Sequence, residues 1–431
     1  MSNKERDIYN ISTTFRDIKL KYGVERKTEK ISEIGEDTTR LSLSMVESKT
    51  GKVNLDSDVD LSTGLVRFGQ EDVLFSKLRP YLAKAVNPDF SGAASPEFLV
   101  LEPNKFEPRY LLYVLLSAPF IQRVDSSTYG AKMPRASWEF IGNIRVPCPD
   151  ISVQRQLSNW IKGEVQKIDE TLEILNELSV KAEEYSTTIV TNSIHGKSST
   201  PNSGNMSIHE WLNNVPSSWN VTKLKYISDI QTGVTKGGFS NQEEKVSVPY
   251  LRVANVQDGY LDLSDIKEIE IPPSDVDKYQ LRPGDILMNE GGDFDKLGRG
   301  AVWNGEIEPC VHQNHVFAVR PHNEDQSEWI SKLTESPIYK HYFSMKSKQS
   351  TNLASLSVSS LKETPIVLPP RKKRQKLLKK INNEESNTAQ IKESADLMMK
   401  VLMEKRQVLI TAAVTGQIDM SEEKGVIQAD D

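Results

Sequence analysis

Two histidines three residues apart, His312 and His315, have a spacing that suits a metal ion on a helix. They lie in a β-like run, Cys310 to Val319, where that separation turns them to opposite faces, and no acidic or cysteine partner stands at zinc-site spacing. Asn87-Pro88-Asp89-Phe90 resembles the Asn-Pro-Pro-aromatic loop with which aminomethylating enzymes hold a flipped base. Aspartate replaces the second proline, however, and no glycine-rich strand-loop-helix site for a methyl donor precedes it, so the segment reads as a surface turn. Gly291-Gly292 and Gly298 to Gly300 lack the lysine and hydroxyl of a phosphate loop. No Ser-His-Asp or paired-carboxylate arrangement stands out, which leaves the catalytic and metal inventories empty. The remaining chemistry is that of base edges and phosphates, which takes Arg, Lys, Asn and Gln together with hydroxyls and amides. In the first half it gathers at Lys77, Arg79 and Tyr81 with Lys84, and at Tyr129, Lys132 and Arg135, with a weaker region around Lys49 and Lys52. In the second half it gathers at Thr235 and Lys236 with Asn241, at Asn289 with Lys296 and Arg299, and at Lys348, Gln349, Thr351 and Asn352. The Lys77/Arg79/Tyr81 and Lys348/Gln349/Thr351/Asn352 clusters are the strongest of these.

Those loops must be held by folded units, and the chain states its units twice. Lys19-Leu20-Lys21-Tyr22 returns as Lys223-Leu224-Lys225-Tyr226; Pro149 with Gln154 and Leu157 returns as Pro370 with Gln375 and Leu378; Ile189 to Gly196 returns as Leu409 to Gly416. The echoes lie 204, 221 and 220 residues apart, so each half holds a globular unit followed by a long helix. Each globular unit mixes short β-rich runs (Asp72 to Phe75 and Phe98 to Leu101; Tyr250 to Val256 and Asp285 to Met288) with one apolar helix, Pro108 to Val124 and Glu328 to Met345. Gly69 to Leu74 pairs with Gly284 to Leu287 as the same turn and strand.

The long helices carry a seam of threes and fours, a coiled-coil signature. Its residues are Ile161, Val165, Ile168, Leu172, Leu175 and Ile189 in the first helix, and Ile391, Met398, Leu402 and Leu409 in the second. Pro147 and Pro149 enter one helix, Pro369 and Pro370 the other, and glycine follows each at Gly196 and Gly416. The expected fold is α+β, with two similar α/β domains joined by two long antiparallel coiled-coil helices about a pseudo-two-fold axis. The divisions are 1–146 and 208–367 for the globular domains, 147–197 and 368–419 for the helical spacers, 198–207 for a linker and 420–431 for an acidic tail. Such a molecule is a rod with a similar domain near each end. Two readers at a set distance recognise a target in two parts.

Composition narrows the setting. No run approaches the ~20 apolar residues of a membrane span, and the N-terminus is charged, so a cytoplasmic protein is expected. Cys148 and Cys310 occupy unrelated places and read as ordinary reduced thiols. The net charge of −6 argues against indiscriminate coating of nucleic acid but leaves room for a local basic groove.

The run His209-Glu210-Trp211-Leu212, Val215-Pro216, Trp219, Lys223-Leu224 and Gly233 to Gly237 is similar to the start of a target recognition domain. Gly284 to Leu287, Leu297-Gly298, Gln313, His315, Ser350-Thr351 and Leu356-Ser357 continue the pattern. Leu368-Pro369-Pro370 with Gln375, then Lys405 to Gln407 and Ala412 to Asp419, complete it. In order and duplication the chain resembles the specificity subunit of type I restriction-modification systems. The resemblance implies two target recognition domains reading the halves of a split double-stranded DNA target, with helices that set the gap and dock two modification (methyltransferase) subunits. Restriction (motor-nuclease) subunits join through those. It implies no catalytic centre and no cofactor in this chain, with S-adenosylmethionine, ATP and Mg in the partners. Two departures touch the docking face: Arg371-Lys372-Lys373-Arg374 stands where the family carries acidic residues, and the first domain lacks the Trp211/Pro216/Trp219 entry. The basic run has two equal readings, a phosphate track or a solvated helix surface. The competing functions are a stand-alone DNA adenine methyltransferase built on Asn87 to Phe90, and a coiled-coil adaptor that binds no DNA.

Overall fold

Proline placement decides where the short helices break. A proline has no N–H to donate and clashes with the carbonyl four residues earlier, and it drives the residue before it out of the helical region. The expected single helices are therefore pairs: Pro108–Leu116 and Ala118–Asp125 part at the extended Ser117, and Ser327–Glu335 and Pro337–Lys346 part at the extended Ser336. Glu107 caps the first, its carboxylate accepting from the Tyr110 N–H at 2.6 Å.

The computed structural model describes residues 15–31, 38–55, 64–130, 132–195, 208–213, 215–237, 244–292, 297–298, 300–349 and 354–418. The chain forms two units, residues 1–178 with 394–431 and residues 179–393, so each long helix is shared between them. In the first unit a four-stranded antiparallel sheet runs in the order Val24–Lys27, Phe98–Pro103, Val73–Ser76, Ala85–Val86. A three-stranded sheet of Arg40–Leu41, Gly92–Ala94 and Val66–Phe68 lies beside it in sequence, and Asp17–Lys19 pairs with Arg145–Pro147. The second unit repeats the scheme: Ser228–Thr232, Val316–Pro321, Ile286–Asn289, Gly300–Val302; then Lys267–Ile271, Val246–Leu251, Val311–His312; and Asn220–Lys223 against Pro365–Leu368. The expected strand Tyr250 to Val256 stops at Leu251, and a single 3-10 turn, Val253–Asn255, takes over.

The suggested pairing of Gly69 to Leu74 with Gly284 to Leu287 holds in detail. Asp72 and Asp285 are both buried, and each accepts from a turn N–H, Gly69 at 2.7 Å and Arg282 at 2.8 Å. Each also meets a cation, Lys27 at 2.8 Å and Arg320 at 2.6 Å.

Each unit buries ends of both long helices in its core. In the first, Leu157, Ile161 and Val165 of helix Ile151–His195 join Ile410, Ala413 and Val414 of helix Arg371–Val414 against Tyr110, Leu111 and Phe120. In the second, Ile194 joins Leu378 and Ile381 against Trp219, Trp329 and Tyr339. Glu183 pairs with Lys392 at 2.8 Å, while Ile194 shares its cluster with Leu378 and Ile381, so the helices run antiparallel through that unit.

In the first helix Ile161, Val165, Ile168 and Leu175 are buried, and Leu172 and Ile189 are half-buried. The second helix corrects the expectation. Leu402 and Leu409 are half-buried, but Ile391 and Met398 are 39% and 52% exposed and do not enter the seam. Arg406 is buried there instead, with its guanidinium meeting Asp169 at 3.6 Å. Apolar periodicity could not select it.

Candidate nucleic-acid interface

A glycine fixes the geometry of this site. A Cβ on Gly291 would lie 2.3 Å from the Ala354 carbonyl oxygen, so only glycine allows the strand contact there. Gly291–Gly292, Ala354–Ser355 and Lys348–Gln349 thereby form a small antiparallel sheet. It is tied to the main sheet by two bonds: the Glu290 N–H donates to the His315 carbonyl at 2.9 Å, and the Leu356 N–H to the Glu290 carbonyl at 2.7 Å.

The first unit holds the same frame. The Lys77 N–H donates to the Glu97 carbonyl at 3.1 Å and the Ala136 N–H to the Lys77 carbonyl at 3.0 Å. Arg135 bridges Leu78 on one side and Tyr129 on the other. By position Lys77 matches Glu290, Glu97 matches His315, Arg135 matches Ser355 and Tyr129 matches Lys348. The backbone is kept and the side chains are exchanged. Glu97 is held by Arg135 in the first unit, Nη2 to Oε1 at 2.9 Å and Nε to Oε2 at 3.2 Å. Glu290 is held by His315 Nδ1 at 2.6 Å in the second.

The expected contact residues fall around this frame unevenly. In the first unit Arg79, Tyr81, Tyr129 and Lys132 are exposed, and Lys77 is half-buried. Arg79 has φ +49°, and its N–H donates to the Pro134 carbonyl at 2.7 Å, which folds the Lys77-to-Tyr81 loop onto the Tyr129-to-Arg135 loop. Arg135 is half-buried and committed to Glu97. In the second unit Thr235, Lys236 and Lys348 are exposed. Asn241, Lys296, Arg299, Thr351 and Asn352 lie outside the described residues, as does the Gln349 side chain.

Two expectations are corrected. Asn289 is buried, its amide donating to the carbonyls of Val256 at 2.9 Å and Val253 at 3.3 Å, which takes it away from any base. Lys84 donates to the Leu43 carbonyl at 2.6 Å, and burial lowers its affinity for a proton, so it anchors a turn. Glu97 and Glu290 were not among the expected residues. An acid among basic loops gives no phosphate-contact signal, yet a carboxylate can accept from an exocyclic base amine. His315 stood in the family pattern without a role.

The basic run also resolves. Arg371 and Arg374 meet Asp325 at 2.9 and 2.8 Å, and Arg374 is 5% exposed with Nη1 donating to the Pro369 carbonyl at 3.3 Å. In the first unit Gln154 does this work, donating to the Pro149 and Lys105 carbonyls at 2.8 and 3.0 Å and accepting from the Glu107 N–H at 2.9 Å. The counterpart of Gln154 is therefore Arg374, not the exposed Gln375, and the helices repeat at 220 residues throughout. Two of the run's cations serve the fold, while Lys372, Lys373 and Lys376 remain exposed.

The two competing chemistries meet structural answers. The Asn87 amide is occupied by the carbonyls of Gln70 at 2.9 Å and Asp72 at 3.0 Å. His312 is buried, Nδ1 against the Val316 carbonyl at 2.7 Å, whereas His315 is largely exposed. Among the described residues no His, Cys, Asp and Glu cluster could hold a metal, and no helix is long and apolar enough to cross a membrane.

Burial lowers the His312 pKa to about 4 from an unfolded value near 6.5. The fold thus favours the neutral ring; the stability it supplies is full above pH ~6.5, declines as pH falls toward ~4, and is up to about 3 kcal/mol. Urea unfolding at pH 7 and pH 4.5 should show a larger loss for the wild type than for His312→Leu. Equal losses would contradict this.

Two α+β units of one topology, closed by long shared helices, define the class of fold. Solved chains share it. One comes from work on complex assembly and conformational transition of the type I R-M system, with a TM-score of 0.71, 18% identity, and coverage of 95% of this chain and 100% of that one. Another is the HsdS subunit of Thermoanaerobacter tengcongensis, with a TM-score of 0.54, 18% identity, and coverage of 95% and 98%. Residues 216–395 match the family model described as the type I restriction modification DNA specificity domain.

Similar curated proteins include the MjaX specificity subunit of Methanocaldococcus jannaschii, 24% identical over 47% of this chain and 48% of that one. The EcoKI specificity subunit of Escherichia coli K12 is 20% identical over 68% and 60%. The matches span about half to three-fifths of those relatives' own lengths.

Proposed function

We propose that this chain is the DNA-reading specificity subunit of a type I restriction-modification complex. The observation that carries the reading is the duplicated frame at Lys77/Glu97/Arg135 and Glu290/His315/Lys348, constant in backbone and different in side chain. A domain copied to read a second, different half-site keeps its scaffold and changes its readers. Arg79, Tyr81, Tyr129, Lys132, Thr235, Lys236 and Lys348 then supply exposed base or phosphate contacts, and Asn241, Lys296, Arg299, Gln349, Thr351 and Asn352 are proposed as contacts on their residue types alone.

In this reading the chain has no catalytic centre and works in the cytoplasm. Methylation belongs to two modification subunits, which hold S-adenosylmethionine, and cleavage to restriction subunits, which use ATP and Mg. The apolar side chains Met398, Leu397 and Val401, left outside the seam, fit a helical face that a modification subunit covers; all are well exposed.

The test is duplex binding by the chain assembled with its modification subunits. With six or more phosphates contacted, affinity for the cognate duplex falls by about a thousandfold or more between roughly 50 and 200 mM salt. Cognate duplex also outcompetes scrambled duplex at every salt concentration. Assembly without duplex binding would leave the adaptor function in its place.

A further inference from the structure

The tetrapeptide Lys-Leu-Lys-Tyr is identical in the two halves, at Lys19 to Tyr22 and Lys223 to Tyr226, and DNA reading does not account for it. In each unit its last three residues form one 3-10 turn, Leu20–Tyr22 and Leu224–Tyr226. The leucines explain themselves. Both are fully buried, and their N–H groups donate to the Ile144 and Thr364 carbonyls, each at 2.9 Å.

The flanking residues do not. Tyr22 is 60% exposed and Tyr226 66% exposed, with the Lys21 and Lys225 ammonium groups over their rings at 5.4 and 5.1 Å. Folding does not require an exposed tyrosine backed by a lysine, so its presence in both units indicates a task common to both. Base reading is excluded as that task, because the reading positions have diverged while these have not. A phosphate contact fits the second unit poorly, and therefore fits poorly as a task common to both. Glu363 lies between Lys223 and Lys225 at 2.6 and 2.5 Å, and those two ammonium groups hold its carboxyl down at about 2, so it is charged at any working pH. A fixed carboxylate there opposes a phosphate.

What suits the patch is a protein surface. Rigid aromatic anchors with a polar edge dominate protein interfaces, and a lysine over the ring helps to hold it in place. Position supports the same partner class. The turn follows directly on the strand that pairs with the last strand before each long helix, Asp17–Lys19 with Arg145–Pro147 and Asn220–Lys223 with Pro365–Leu368.

We infer that Lys21-Tyr22 and Lys225-Tyr226, with Lys19 and Lys223 beside them, are two equivalent docking points, each for one copy of the same protein partner. That partner presents a slot to the tyrosine ring. The assignment rests on the function proposed above, under which this partner is the modification subunit.

The test uses the full chain and separately purified modification subunit, with native mass spectrometry for stoichiometry and titration for affinity. Tyr22→Ala with Lys21→Glu is one variant, Tyr226→Ala with Lys225→Glu the second, and all four changes the third; circular dichroism and the thermal midpoint check folding. Each two-site variant is expected to hold one copy tightly and the other at least about tenfold more weakly. The fourfold variant holds neither at concentrations where the wild type holds two. A folded fourfold variant that binds two copies with wild-type affinity overturns the assignment. So does one that keeps both copies but binds duplex with a shallower salt dependence, since the patch would then be a phosphate contact. A wild-type chain that binds duplex but no modification subunit removes the partner, and this assignment falls with it while DNA reading stands. Failure of duplex binding with two copies docked does the reverse.

Discussion

Replacing Arg320 with methionine is expected to lower the stability of the second unit by about 3–5 kcal/mol, the cost of leaving a buried charge without its partner. The carboxylate left behind is Asp285, whose side chain is 1% exposed. Arg320 holds both of its oxygens, Nε to Oδ1 at 2.7 Å and Nη2 to Oδ2 at 2.6 Å, and one turn N–H, from Arg282, is the other donor to it. Methionine keeps the stem and supplies no donor. Lysine in place of Arg320 restores the charge without the two-pronged geometry and should recover part of the loss. Asp285→Asn combined with Arg320→Met should also recover much of it, since the stranded charge is then gone. Urea unfolding of the full chain followed by tryptophan fluorescence measures this directly, because Trp303 and Trp329 are buried in the same unit. A loss under about 1 kcal/mol would mean that water reaches Asp285 freely.

The second large effect is on specificity. Glu290→Gln and His315→Ala should each relax discrimination at one base pair of one half-site by about 1–3 kcal/mol, or roughly 5–150-fold, and leave the other half-site alone. The reason is chemical. A carboxylate accepts from an exocyclic amine and rejects a carbonyl at the same place, and the His315 contact at 2.6 Å fixes which oxygen is free to do so. The reciprocal exchange in the first unit, Lys77→Glu with Glu97→His, should change the other half of the target and nothing else. Binding of a library of duplexes, each carrying one altered base pair, separates this from a phosphate contact. Uniform weakening across all sequences would assign these residues to the backbone.

Much of this was legible from the residues because it rested on period and repetition. The first long helix declared its seam through Ile161, Val165 and Ile168, whose apolar side chains fill it. Asp72 and Asp285 could be matched because a turn followed by a buried strand keeps one short pattern. The second helix hid its seam, since Arg406 is buried in it and a polarity-based reading passes over it. Arg374 replaced Gln154 by a different chemistry for the same carbonyl, so the echo was assigned one residue late, to Gln375.

The site was legible as a set of loops and not as a frame. Asn289 has the right side chain for adenine, but two neighbouring carbonyls claim it. Glu97 and Glu290 carry the wrong charge for a phosphate, and only the strand partners that bring them beside Arg135 and His315 reveal them. Contacts between residues far apart in the chain make this site, and no local pattern encodes them.

The central claim is that each unit reads its own half of a split target. Methylation mapping across a genome carrying this chain and its partner subunits tests it most directly, repeated after residues 208–365 are exchanged for another recognition domain. The account predicts a split motif in which one half changes after the exchange while the other half stays. A methylated motif that is continuous, or one whose two halves both change, would contradict it.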